Sequence, residues 1–392
     1  MNSINNKKLS RALSGFLLVF FLVTAGSHSV SAVGYTVTNT NSAGAGSFRQ
    51  AVENANANPG ADDIDFNIPG PGPHDIIFTY LEVTDELHID GTAGNGGSSC
   101  ATDSMPAKPN IILNINGAWN QRLDFSSSAD GSSIKGISYA NAPQNMGLYA
   151  NDFTMTCTFM DMLPDGTATE GYSGGGVSIE KDLSNIKFGG SDIADRNYFA
   201  LISLQGAENV HGLQFENNYV GVNTTGSASS SIAHAQPLLY LCDSGNNIEI
   251  KNNLLSGNGG TGIRFRSGYG CTGADDLTNV SIKGNKIGSN AAGDAVLSTN
   301  IDAIHLQHYA SNTISNINIG GPNPEDRNII VGQRYGVLST EDGGATNGVT
   351  IENNYIGVGS DGAALGPLNS STASIESGPS ADGWKIKNNV VR

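Results

Sequence analysis

The sequence predicts an all-β solenoid, in which short strands wind into stacked parallel coils. Three observations carry the prediction. The 392 residues include 51 glycines and 43 asparagines, residue types that form helices poorly and turns readily. Only 14% of residues are charged while 38% are hydrophobic, enough apolar material for a core and too little charge for a disordered chain. Finally, a short motif of alternating apolar and polar residues recurs and closes on asparagine.

The first segment reads as a secretory address. Lys7, Lys8 and Arg11 precede an apolar run from Phe16 to Val23, and Val30-Ser31-Ala32 offers small residues for cleavage between Ala32 and Val33. The run is shorter than the roughly 20 residues of a spanning helix, so residues 1–32 are assigned to a signal peptide. No transmembrane segment is expected in the mature chain. Its removal leaves 17 basic against 36 acidic residues, a net charge of −19. Such a chain repels nucleic acid and anionic lipid as general partners. It suits a secreted, extracellular or cell-surface protein.

Residues 33–70 are expected to cap the solenoid. Tyr35-Thr-Val-Thr reads as a strand, and Ser47 as the N-cap of a short amphipathic helix. Phe48, Ala51, Val52 and Ala55 share one face of that helix, and Pro59-Gly60 stops it. Placed ahead of the first coil, the helix covers strand edges that would otherwise invite aggregation.

Residues 71–392 are assigned to coils. The motif reads Leu213-Gln-Phe-Glu-Asn-Asn218, Ile248-Glu-Ile-Lys-Asn-Asn253, Val280-Ser-Ile-Lys-Gly-Asn285, Val349-Thr-Ile-Glu-Asn-Asn354 and Trp384-Lys-Ile-Lys-Asn-Asn389. A larger unit ends at Gly226, Gly293 and Gly362, with a worn copy at Gly166. A third echo joins Ile186-Lys-Phe-Gly-Gly and Asp195-Arg-Asn to Ile317-Asn-Ile-Gly-Gly and Asp326-Arg-Asn. Repeats too short to bury their own apolar face stack on their neighbours. A unit of about 65 residues divides on this reading into about three coils of roughly 22. Glycine and asparagine supply left-handed corners, Glu216, Lys251 and Glu352 mark them, and the asparagines stack at equivalent turns. The last copy stops at Val390-Val391-Arg392, in mid-coil, which suggests a fragment, or an end completed by a partner.

Four cysteines in an exported chain allow three disulfide connectivities. Cys242 with Cys271 is the preferred pair because their 29-residue separation is close to one repeat; Cys100 and Cys157 remain as the second. Reduced, buried cysteines are the alternative. No zinc spacing and no Gly-Gly-x-Gly-x-Asp calcium repeat is present in the sequence. No metal and no cofactor is therefore assigned.

Gly46-Ser47-Phe48-Arg49-Gln50-Ala51-Val52, followed by Asn56-Ala-Asn-Pro-Gly60-Ala-Asp and Ile64-Asp-Phe-Asn-Ile68-Pro, resembles the N-terminal segment of large bacterial surface proteins. Those proteins are named for a Cys-Ser-Leu-Arg-Glu-Ala stretch. Here Gly46, Phe48 and Gln50 replace its Cys, Leu and Glu. The Asn-Tyr-Ile-Gly and Ile-Gly-Gly units are similar to repeats of the same secreted proteins. The resemblance covers most of residues 33–392 and implies a right-handed parallel β-helix of the pectin-lyase-like type. That fold hosts lyases, hydrolases, adhesins and stalks alike.

Chemistry is sparser. The Asn-Thr-Asp, Asp-Asp and Gly-His-Gly set of polygalacturonase-like members has no counterpart in the sequence. Asp275-Asp276, the Asp62, Asp63 and Asp65 group, Glu325-Asp326 and Glu341-Asp342 read as solvated turn acids. In Gly262-Ile-Arg-Phe-Arg266, alternation turns Ile263 and Phe265 inward and Arg264 and Arg266 outward; likewise His305 and Gln307 face out between Ile304 and Leu306. A guanidinium pair binds carboxylates in a fork, which makes an acidic sugar the candidate ligand. The bland alternative pairs these arginines with nearby acids. The leading expectation is a non-catalytic surface module for adhesion or glycan binding. A polysaccharide lyase or glycoside hydrolase acting on acidic polysaccharide, using the same face, and a passive structural stalk are the alternatives.

Overall fold

Turn by turn the chain feeds strands into three sheets in fixed order, and some turns lay two short strands into the largest. The computed structural model describes residues 32–392 apart from 95–96, 117–120, 143, 169–175, 180, 207–208, 231–235, 243–244, 258, 268–270, 272–275, 298–301, 310–311, 333 and 366–373. The rest of the assigned signal peptide and Asp275 lie outside the described residues. Among those described, the strands form sheets of 15, 11 and 10 members, and every pairing between named strands is parallel. This is a parallel β-helix. The core runs along its axis: Phe215, Ile250, Ile282, Ile319 and Ile351 stack in one inward column and are each 0% exposed.

The coils are larger than the sequence suggests. Phe215, Ile250, Ile282, Ile319, Ile351 and Ile386 occupy the same position in successive coils, 35, 32, 37, 32 and 35 residues apart. A unit of about 65 residues is therefore two coils, not three. The extra length lies at corners. Val222 bridges Ser229, Ser289 bridges Val296 and Val358 bridges Ala364, so a small hairpin follows the second-sheet strand in these coils.

Asparagine holds a second axial column. Asn197, Asn218, Asn253, Asn285, Asn328, Asn354 and Asn389 stack coil on coil. In each rung the backbone N–H and side-chain amide donate to the next asparagine's Oδ1, as from Asn253 to Asn285 at 2.9 Å each. The amide also donates to a first-sheet carbonyl, Phe215 O in the case of Asn253, at 2.8 Å. Five of the seven are 0% exposed and Asn253 only 2%, so the ladder satisfies polar groups that water cannot reach. At five rungs the preceding residue turns the corner with positive φ, 61° at Asn217 and 58° at Asn252, whereas Arg196 and Arg327 precede their rungs with φ of −57° and −64°.

At the N-terminal end, Gly34–Val37 adds a parallel strand to Asp62–Phe66. The helix Phe48–Ala57 follows, with the Ser47 hydroxyl accepting from Gln50 N at 3.2 Å. Phe48, Ala51, Val52 and Ala55 are buried, and Phe48 packs 6.2 Å from Phe66 and 5.7 Å from Phe78, ring centre to ring centre. Two disulfides, Cys100–Cys157 and Cys242–Cys271, join Cα atoms 5.4 and 5.3 Å apart. No helix among the described residues is long and apolar enough to cross a membrane.

Candidate functional site

The outer face of the ten-stranded sheet carries a polar cluster around Arg264 and Arg266. Leu239–Cys242, Ile263–Ser267, Asp302–Tyr309 and Tyr335–Asp342 lie side by side there. Ile263, Phe265, Ile304 and Leu306 are 0% exposed on the core side. Alternation then puts Arg264, Arg266, His305 and Gln307 on the opposite face. Register sets Arg264 beside His305 and Arg266 beside Gln307. The two arginines are half-buried, whereas His305 and Gln307 keep only 8% and 9% exposure.

The contacts run diagonally. Arg264 donates to Gln307 Oε1 through Nε at 2.9 Å and also through Nη2. Arg266 Nη1 donates to the Tyr240 hydroxyl at 3.4 Å, and the Arg264 guanidinium lies 6.0 Å from the Tyr240 ring centre. That hydroxyl is 3.8 Å from Cys271 Sγ, so the Cys242–Cys271 disulfide sits against the same tyrosine. His305 places Nδ1 3.4 Å from Asp302 Oδ2 and Nε2 2.8 Å from Thr340 Oγ1. Arg334 reaches Asp302 Oδ1 at 3.6 Å.

Burial, with the charges of Arg264 and Arg334, pushes the His305 pKa down to about 4. The imidazole is thus neutral near pH 7. Burial likewise raises the Asp302 carboxyl, against the opposing pull of Arg334 and Arg264. The Arg334 and Arg264 guanidiniums therefore act on one buried carboxylate, and Arg266 adjoins them through Tyr240, leaving a local positive excess on an acidic chain. Such a face can take a carboxylate in a forked hydrogen bond. It is poorly arranged for proton abstraction, since both ring nitrogens of His305 already have polar neighbours and the ring is nearly enclosed.

Asp302, Arg334, Tyr240 and Thr340 were not singled out from the sequence. Tyr240 and Asp302 become visible once coil length fixes the register, because they flank the arginine strand on adjacent coils. The acids read as solvated divide. Asp62 is 0% exposed and accepts from Val33 N and Asn58 Nδ2, each at 2.8 Å, so it fastens the cap. Glu341 turns inward with its side chain 1% exposed, 3.9 Å from the buried His308. Asp276 accepts from Thr313 N, and Asp326 caps a short 3-10 turn. Among the described residues no group of three or more His, Cys, Asp or Glu is arranged to hold a metal ion.

A family model described as "Protein of unknown function (DUF1565)" matches residues 161–374. No curated protein matches the chain. Among solved structures, the chain is similar to pectate lyase Pel9A at 15% identity, covering 92% of this chain and 80% of that one, with a TM-score of 0.34. It is also similar to the A-module of the mannuronan C-5 epimerase AlgE6 of Azotobacter vinelandii. That match has 13% identity, covers 91% and 99% of the two chains, and has a TM-score of 0.36.

Proposed function

We propose that this chain, which belongs to the DUF1565 family of proteins of unknown function, is a secreted or cell-surface module that binds acidic glycans without turning them over. One observation carries the reading: Arg264 and Arg334 act on the buried carboxylate of Asp302, and Arg266 adjoins them through the Tyr240 hydroxyl. The rest of the molecule is strongly acidic, so this patch is where an anion meets attraction rather than repulsion. Uronate carboxylates fit a guanidinium fork, while hydroxyls fit Gln307 and Tyr240. The basic and apolar N-terminal residues Lys7 to Val23 support export. The enclosed His305 supports binding over catalysis.

The test is to incubate purified protein with polygalacturonate, polymannuronate and neutral dextran, measuring binding by affinity electrophoresis and cleavage by ultraviolet absorbance and reducing ends. Binding to the polyuronates, weakened by salt and about tenfold by Arg264→Ala, is the expected result, a loss of about 1.4 kcal/mol. Arg264→Lys should restore little, because the fork rather than the charge is lost. Release of unsaturated or reducing ends, abolished in Arg264→Ala, would replace this reading with a lyase or hydrolase. No binding to any of the three would leave a structural stalk.

A further inference from the structure

On a different face, the protein builds a cavity of about 320 Å³ against the second sheet. We infer that it binds one neutral sugar ring. The wall begins with Tyr198 and Tyr219, neighbours in register on adjacent second-sheet strands. Arg196 lies 4.0 Å over the Tyr219 ring and donates to Asn217 O at 3.2 Å and Asn217 Oδ1 at 2.7 Å. This clamp is a scaffold of the repeat, since Arg327 makes the same contacts with Tyr355 and Asn353, at 4.1, 3.0 and 2.8 Å. What distinguishes the first copy is a loop laid over it.

That loop is built to stay. Ser99 bridges Lys108 at its neck, and Cys100 is bonded to Cys157. Ala101 and Ala107 pack with Phe159, Met162 and Tyr198 into a small core outside the main one. The tip supplies Asp103 and Met105 to the cavity, and Thr224 faces them from the hairpin after the second-sheet strand.

The chemistry selects the ligand. Tyrosine rings and Met105 offer apolar surface to a ring's C–H face, while Asp103, Thr224 and neighbouring hydroxyls offer acceptors and donors to its edge. The Arg196 guanidinium lies over the Tyr219 ring, and Asp103 adds a negative charge to the lining. A polyhydroxy ring without charge therefore fits better than a uronate or a phosphate. The volume is at the lower end for ligand pockets, room for one ring rather than a chain. The Tyr198 hydroxyl gives an independent sign: Tyr198 lines the cavity and is 0% exposed, yet its hydroxyl donates to no acceptor. The Arg196 guanidinium and the Ala107 amide approach it only as donors, so its own O–H proton is left without an acceptor. A buried hydroxyl left this way is costly, and a ligand hydroxyl would complete it.

Saturation-transfer NMR and calorimetry with glucose, galactose, N-acetylglucosamine and galacturonate test the proposal on the full chain. At least one neutral sugar should bind in the millimolar range, and more tightly than galacturonate. Tyr198→Phe should weaken it about five- to tenfold while leaving the unfolding midpoint unchanged or raised, a combination that a purely structural hydroxyl would not give. Asp103→Ala should weaken it similarly, and Arg264→Ala should leave it untouched. Failure of all three neutral sugars to bind at 20-fold molar excess in the millimolar range, wild-type binding by Tyr198→Phe, or loss of binding in Arg264→Ala would each overturn the assignment.

Discussion

Asp161 shows how a single substitution in a repeat leaves a chemical trace. It stands where the other copies of the larger unit have Gly221, Gly288 and Gly357, and all four adopt positive φ, 53° for Asp161 against 76°, 86° and 76°. Aspartate tolerates that region better than most residues, so the corner survives, but a carboxyl enters the interior. Asp161 is 3% exposed, and beyond a weak approach of the Ala142 amide nothing pairs with its carboxyl. Burial pushes its pKa up to about 7, the Ala142 amide pulling it only partly back. Because the folded pKa lies above the unfolded value, about 3.9, the native state holds a proton that the unfolded chain has released. The resulting stability is complete below about pH 4 and is lost as pH rises through about 7. Asp161→Asn should therefore unfold like the wild type near pH 4 and be more stable at pH 8, by at most about 4 kcal/mol. Urea unfolding at the two pH values reads the difference; equal midpoints at pH 8 would show that the carboxylate is relieved in the folded chain.

Strand-and-corner elements were legible where two requirements fall on adjacent residues. Asn217-Asn218, Asn252-Asn253 and Asn353-Asn354 each join a left-handed corner to a ladder rung, and the doublet advertises both. Asn197 and Asn328 follow arginines instead, and their rungs are reached through 3-10 turns. Their place in the ladder, like the arginine clamp with partners 21 and 26 residues onward, is visible only in three dimensions. The rung itself is energetically demanding. Asn285→Ala would leave the Asn253 N–H, the Asn253 side-chain amide and Ile250 O without their partners. At about 1–3 kcal/mol for each stranded buried group, and less than additive, roughly 3–5 kcal/mol of stability should disappear. Asn285→Asp should rescue little, because a carboxylate accepts from Asn253 but cannot donate to Ile250 O or Asn328 Oδ1. A midpoint within experimental error of the wild type in either variant would mean that water takes over the rung.

For the whole molecule, composition and repeat announced a solenoid, while the size of its coils was misjudged because corner hairpins are invisible to strand periodicity. The same gap explains the site. Alternation gives the facing of Arg264 and His305, but only coil register brings Tyr240, Asp302 and Arg334 to them. Closure of the N-terminal end depends on Phe48, which is 0% exposed between Phe66 and Phe78. Phe48→Ala should cost about 3–5 kcal/mol and loosen the helix from the first coil, exposing strand edges that associate. Sedimentation should then show concentration-dependent oligomers; a monomer with an unchanged unfolding midpoint would place the closure elsewhere. The asparagine column also gives the molecule a direction. From Asn197 to Asn389, donors at each rung address the following coil and Oδ1 faces the preceding one. A solenoid so wired can lengthen by duplicating whole coils in the same sense, because each new rung finds an oxygen ahead and a donor behind. Spliced in reverse, a coil would set oxygen against oxygen. The repeats are thus vectorial, and their copying can run only one way.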